Sequence, residues 1–131
     1  MATTPVLLKV DGFTDREVIM FTYSFNQATD TEGQMSGIPR GGRITIRLKV
    51  LNEGTRELLS WMIAPYLNKD GKIVFNRTDK DGQERQTIEF KDGYCVNYVE
   101  YYEDKMDGYE EITISCREIT NGPVSYHNQW A

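Results

Sequence analysis

Residues 43–50 read Arg-Ile-Thr-Ile-Arg-Leu-Lys-Val. Ile44, Ile46, Leu48 and Val50 alternate with Arg43, Thr45, Arg47 and Lys49. A period of two marks a strand with one face buried and one in water. Glu17 to Gln27 predicts an earlier strand with Ile19, Phe21, Tyr23 and Phe25 on one face. Pro5 to Val10 predicts a short first strand. Far downstream, Ile112, Ile114 and Cys116 alternate with Thr113, Ser115 and Arg117, which predicts a last strand over Tyr109 to Ile119.

Between the two clearest strands lies Ala28 to Gly42, ATDTEGQMSGIPRGG. It is polar and almost free of large apolar side chains. Connections of this length tend to be functional or disordered. Pro39 restricts its backbone while Gly33, Gly37, Gly41 and Gly42 open conformations closed to other residues. The reading is a long extended loop, an arm with little to bury at home and therefore able to reach another molecule.

Arg56 to Tyr66 breaks the alternation. Leu58, Leu59, Met62, Ile63 and Tyr66 recur at helical spacing and predict one amphipathic helix, ended near Pro65 and capped by Asn52 or Thr55. The remainder is β again. Lys72–Thr78 and Glu84–Lys91 form a predicted hairpin around Asp81-Gly82, and Tyr94–Glu103 and Tyr109–Ile119 a second around Asp107-Gly108. Asp11-Gly12, Asp70-Gly71 and Asp92-Gly93 add further turn signals. The tail, TNGPVSYHNQWA, is turn-rich. The expected fold is mainly β: a small barrel, or two packed antiparallel sheets, with one helix that plugs an open end or lies across the wall. No repeat or second domain is visible, so residues 1–131 form one predicted domain.

Composition narrows function. The 131 residues are 39% hydrophobic and 27% charged, with a net charge of −5. This balance repels a phosphate backbone, so no nucleic-acid partner is expected. No run is long enough to span a membrane, and the N-terminus lacks the basic region and apolar length of a signal peptide. The chain is therefore expected to start in the cytoplasm. Cys95 and Cys116 are expected as reduced, partly buried thiols.

Catalytic and metal chemistry find little material. His127 is the one histidine, and nothing near it resembles a nucleophile elbow. One His and two distant Cys do not build a zinc site. The Asp-Gly turns fail calcium-loop spacing: pivots at Gly71, Gly82 and Gly108 put Arg77, Ile88 and Ile114 where a glutamate is required. The acidic run Glu100–Glu111 reads as a solvated hairpin tip, or as a patch meeting Arg40 or Arg43 of a neighbour, rather than as glycosidase machinery. No enzyme, metal or cofactor is expected.

The segment Tyr23-Ser24-Phe25-Asn26-Gln27, followed by Asp30, Gly33 and Arg40-Gly41-Gly42-Arg43-Ile44, resembles the tube proteins of type VI secretion systems. This is the Hcp or TssD family, in its Bacteroidetes-type branch. Further matches are Leu58 and Trp61-Met62; Tyr94-Cys95-Val96 with Tyr98 and Glu100; Arg117-Glu118-Ile119; and His127-Asn128 with Trp130. Together they cover almost the whole chain. One departure is the proline, which stands at Pro39 beside Arg40 instead of soon after Gly33.

The resemblance implies a barrel with a helix, assembled as a homo-hexamer. Rings stack into a hollow tube inside a contractile sheath, with spike and baseplate proteins as partners and effector proteins as cargo. It implies export from the cytoplasm by sheath contraction. On this view Gln27, Asp30, Gly33, Ile38, Pro39, Arg40, Gly41, Gly42, Arg43 and Trp130 are candidate subunit or ring interface residues, with Arg40 paired to a carboxylate across the contact. A phage-tail tube protein or a small-ligand-binding barrel are the alternatives.

Overall fold

The computed structural model describes residues 6–50, 56–76, 84–104 and 106–128. Its elements run β1 (Val6–Val10), β2 (Arg16–Thr29), β3 (Met35–Lys49), α1 (Glu57–Ile63), β4 (Asn68–Asn76), β5 (Glu84–Glu103), β6 (Met106–Asn121) and β7 (Val124–His127). The sheet order is β3-β2-β1-β4-β5-β6-β7, and β3 also pairs with β6. That extra pairing closes six strands into an antiparallel barrel and leaves β7 as an appendage on β6.

Closure aligns the apolar faces. Ile44, Ile46 and Leu48 of β3 lie opposite Ile114, Ile112 and Glu110 of β6. Leu8, Val10, Ile73, Ile88 and Phe90 join them in one buried cluster. Inward side chains pack against one another in this cluster.

Bulges change several expected faces. Val18 pairs with Leu48 and Phe21 with Ile46, so three residues of β2 span two of β3. Such a bulge moves a side chain to the opposite face. Val18, Phe21 and Tyr23 pack inward, whereas Ile19, expected on one face with Phe21 and Tyr23, is 54% exposed, and Phe25, expected there too, is exposed where the strand runs past the barrel. Val50 is likewise exposed, since β3 ends at Lys49.

The Asp-Gly steps divide in the same way. Asp11-Gly12 is a turn, closed by Phe13 N–H donating to the Val10 carbonyl at 2.9 Å. Asp81-Gly82 lies outside the described residues. Asp70-Gly71, Asp92-Gly93 and Asp107-Gly108, expected as turns, sit inside strands. A Cβ on Gly71 would come within 2.6 Å of the Phe90 ring, and one on Gly93 within 2.8 Å. These glycines make room for a buried aromatic. Asp92 takes a φ of 53° at a bulge, and its N–H donates to Asp70 Oδ1 at 2.9 Å. The positive φ is present, but the chain continues, so β5 is one strand of 20 residues where two were expected.

Helix α1 is shorter than the Arg56–Tyr66 prediction and uses a different face. Leu58 and Trp61 are buried and Met62 packs on the core, while Leu59, Ile63 and Tyr66 are exposed. Trp61 Nε1 donates to the Leu67 carbonyl at 2.9 Å, and its ring meets Phe13 edge-on. With Thr14 N–H donating to Glu57 at 3.0 Å, the helix sits at the barrel end marked by the β1–β2 turn. The cap candidates Asn52 and Thr55 lie outside the described residues.

The acidic run is not wholly solvated. Glu110 continues the inward face of β6 and is 7% exposed, as is Arg16. Arg16 donates to Glu110 Oε1 at 2.6 Å and to the Lys49 carbonyl at 2.9 Å. Tyr98 OH donates to Glu110 Oε2 at 2.7 Å. This ties β2, β3, β5 and β6 together where the barrel closes.

Removing one member of a buried pair leaves the other charge without compensation. Glu110→Ala or Arg16→Ala should destabilise the monomer by about 3–5 kcal/mol, and Tyr98→Phe by about 1.5–3 kcal/mol, as for a hydrogen bond to a charged group. Urea unfolding followed by circular dichroism measures both; losses no larger than those of an exposed control such as Lys91→Ala would refute the assignment.

Candidate assembly surface

Beyond Arg43, β3 loses β6 and keeps only β2. The pairs Asn26–Arg40, Gln27–Pro39 and Thr29–Met35 carry the two strands onward as a ribbon, joined by a turn over residues 30–34. The segment 28–42, expected as an extended loop, is therefore mostly hydrogen-bonded strand. The alternation that usually reports a strand is absent because neither face of the ribbon is buried. All residues from Ser24 to Ser36 are exposed.

The candidate interface residues fall into three groups. Gln27, Asp30 and Gly33 shape the ribbon itself. Gln27 Nε2 donates to the Gly37 carbonyl at 3.2 Å. Asp30 Oδ1 accepts the N–H groups of Glu32 and Gln34, each at 2.9 Å, and Gly33 takes a φ of 83°. Asp30 thus works as a turn-former. Ile38 and Pro39 lie in β3. Arg40 and Arg43 are exposed, and among the described residues neither has an ion-pair or side-chain hydrogen-bond partner within the chain.

Gly41 and Gly42 serve the fork where the ribbon leaves the barrel. A Cβ on Gly41 would overlap the Phe25 ring, and one on Gly42 would overlap Asn128 Nδ2. Gly42 has a φ of 89°, a conformation that favours glycine. Asn128 Nδ2 donates to the Cys116 carbonyl at 2.8 Å and to the Gly41 carbonyl at 3.2 Å. Tyr126 OH donates to Asn128 Oδ1 at 2.9 Å, and the Tyr126 ring meets Phe25. The site role of Asn128 and Tyr126 escaped sequence reasoning because the tail has no periodicity. Trp130 lies outside the described residues.

Two strand edges accompany the ribbon. β1 covers β2 only over Arg16–Val18, and β4 covers β5 only as far as Tyr94. Beyond those points each strand has one edge without a strand partner among the described residues. Val96, Val99, Tyr101 and Tyr102 are exposed along this part of β5. Its tip carries exposed Glu103 and Asp104, with Tyr101 OH donating to Glu103 at 2.8 Å. Among the described residues, no group of three or more His, Cys, Asp or Glu is placed to hold a metal ion. His127 faces Glu118 on the surface at 3.6 Å.

A family model described as hemolysin coregulated protein Hcp (TssD) matches residues 3–131. Among solved structures, Hcp1 from Flavobacterium johnsoniae is 31% identical, with a TM-score of 0.85 over 95% of this chain and 100% of that one. A type VI secretion system effector from Yersinia pestis is 14% identical, with a TM-score of 0.71 over 94% and 99%. Secreted protein Hcp3 from Pseudomonas aeruginosa is 15% identical, with a TM-score of 0.65 over 97% and 100%. The last two share the fold. A search of curated proteins found no match.

Both cysteines are free and buried. Cys116 lies under the fork, its Sγ donating to the Gly42 carbonyl at 3.1 Å. Burial pushes the Cys116 thiol from 9.0 up to about 12 and Cys95 up to about 11. A raised folded-state pKa contributes stability that is complete below the unfolded value near 9 and is lost as pH climbs toward 11 and 12. Native protein should resist iodoacetamide at about pH 8 and react at both thiols once unfolded. Mass spectrometry of the labelled protein checks this, and rapid native labelling would contradict the buried placement.

Proposed function

The chain belongs to the hemolysin coregulated protein Hcp (TssD) family, the structural, secreted tube proteins of type VI secretion systems, and we propose that it builds the inner tube through contacts made by its ribbon. Residues 1–131 act as a single tube domain. Six copies close a ring and rings stack into a hollow tube. A contractile sheath drives the tube, with its spike, away from the baseplate and out of the cell from the cytoplasm. Effector proteins ride with it. No nucleic acid or inserted membrane segment takes part. A phage-tail-like tube would obey the same physics, and genomic neighbours separate the two.

The observation that carries this reading is a polar ribbon outside the closed barrel that bears Arg40, with Arg43 at its base, both exposed and without an ion-pair or side-chain hydrogen-bond partner among the described residues. A head-to-tail contact that closes under rotation yields a ring, and one that does not yields a filament. The ribbon of one subunit lies on the next, Arg40 meets the Glu103–Asp104 hairpin tip, and exposed edges of β2 and β5 add main-chain bonds. Charges of opposite sign fix register in such a contact.

The test separates folding from assembly. Replacing residues 28–38 with Asn-Gly joins the paired Gln27 and Pro39 by a two-residue hairpin turn. This variant should keep the parent circular dichroism spectrum yet elute as a 15.1 kDa monomer minus the excised ribbon. Arg40→Glu should weaken assembly by about 2–5 kcal/mol if its contact is buried. Size-exclusion chromatography with negative-stain microscopy reads both, and annular particles formed undiminished by the excised chain would refute the ribbon's role.

A further inference from the structure

We propose that Asn128 is a positioning residue for assembly: it clamps the fork between β3, β6 and β7 and so fixes the direction in which the ribbon leaves the barrel. The inference rests on the ribbon being the assembly arm, and it assigns that arm's control to the opposite end of the chain.

The register shows what the clamp replaces. β3 pairs with β6 as far as Arg43–Ser115. A straight continuation would set Gly42 against Cys116, Gly41 against Arg117 and Arg40 against Glu118. Instead β7 occupies β6 from Glu118, opposite His127, to Asn121, opposite Val124. The two carbonyls at the fork go to one residue. Asn128 N–H donates to the Arg117 carbonyl at 2.7 Å, and Nδ2 donates to the Cys116 carbonyl at 2.8 Å.

The same amide also grips the departing strands. Nδ2 donates its second hydrogen to the Gly41 carbonyl at 3.2 Å, which holds β3. Oδ1 accepts Tyr126 OH at 2.9 Å, and the Tyr126 ring stands edge-on to Phe25 of β2, centroids 4.9 Å apart. Both ribbon strands are thereby tied to the tail at their base. The two glycines are what permit it: Gly41 leaves space for Phe25, and Gly42, at a φ of 89°, leaves space for Asn128 while bending β3 off β6. An asparagine side chain offers two donors and an acceptor. Aspartate keeps the acceptor and loses both donors, and alanine loses all three. Fixing the arm before contact lowers the ordering cost of association.

The test reads direction and assembly separately. Spin labels at Glu32→Cys in the ribbon turn and Lys91→Cys on β5 report the ribbon's position in dilute monomer by electron–electron distance measurement. Cys95 and Cys116, being buried, stay unlabelled. The parent should give one narrow distance distribution. Asn128→Ala and Asn128→Asp should broaden it, with circular dichroism unchanged, and in the unlabelled background should raise the assembly midpoint to about tenfold higher concentration through lost preorganisation. Tyr126→Phe, which removes the hydroxyl that bonds Oδ1 and leaves both Nδ2 bonds, should broaden it less. If Asn128→Ala does not fold, Asn128→Asp and Tyr126→Phe carry the test. An unchanged distribution in the folded variants overturns the proposal and leaves the ribbon's role standing. A broadened distribution with undiminished assembly overturns it through the ribbon, and the ribbon-excised chain would then assemble as well.

Discussion

One strand edge has to serve two partners. β6 pairs with β3 from Tyr109 to Ser115 and with β7 from Glu118 to Asn121 along the same side. Closure of the barrel requires the first pairing, since it brings Ile44, Ile46 and Leu48 over Ile112 and Ile114. Departure of the ribbon requires that the pairing stop. Between them, Cys116 and Arg117 would leave carbonyls without strand partners, and a buried unsatisfied carbonyl costs about 1–3 kcal/mol. Asn128 takes both. The barrel, the ribbon and the tail thus meet at one point, and none of the three can be placed without the other two.

The fold was legible wherever period-two alternation reports burial on one side. Arg43–Lys49 and Ile112–Cys116 show it, and both lie where expected. It failed where local chemistry had two structural uses. Asp-Gly signals positive φ and tight approach, which a hairpin turn needs but which a bulge beside Phe90 needs as well. Asp92 and Gly93 have that second use, hence one long β5 instead of two strands. Ile19 was misplaced because the register slip that expels it is a tertiary event. Glu110 carried a usable signal: it stands on the inward face two residues before Ile112, and only its charge concealed the burial that Arg16 and Tyr98 make tolerable.

The candidate assembly surface was legible as a segment and not as a structure. A polar, glycine-rich segment with no apolar periodicity stands out at 28–42. Its strand character was hidden, because hydrogen bonding between two solvated strands leaves no hydrophobic pattern. Arg40 and Arg43 are exposed and have no ion-pair or side-chain hydrogen-bond partner among the described residues. Gly41 and Gly42 emerge as accommodations to Phe25 and Asn128 within the chain. No sequence pattern couples position 42 to position 128, since that contact arises only when β7 folds back on β6.

Closure also bears on where the proposed assembly can make main-chain contacts. A closed barrel has no strand edge to offer, so new main-chain pairing can occur only where a strand outruns its neighbours. Among the described residues such edges include the ribbon, the length of β2 beyond Val18, the length of β5 beyond Tyr94 and the outer edge of the appended β7. On the proposed reading the barrel core supplies stability and the overhanging strands supply contacts, with the Arg16–Glu110 pair at one end of the closure and Asn128 at the other. A protein that must be stiff along its wall yet separable into subunits benefits from this division. On that reading, contacts made by solvated, well-directed strands can be lost without exposing the core, because the apolar cluster takes no part in them.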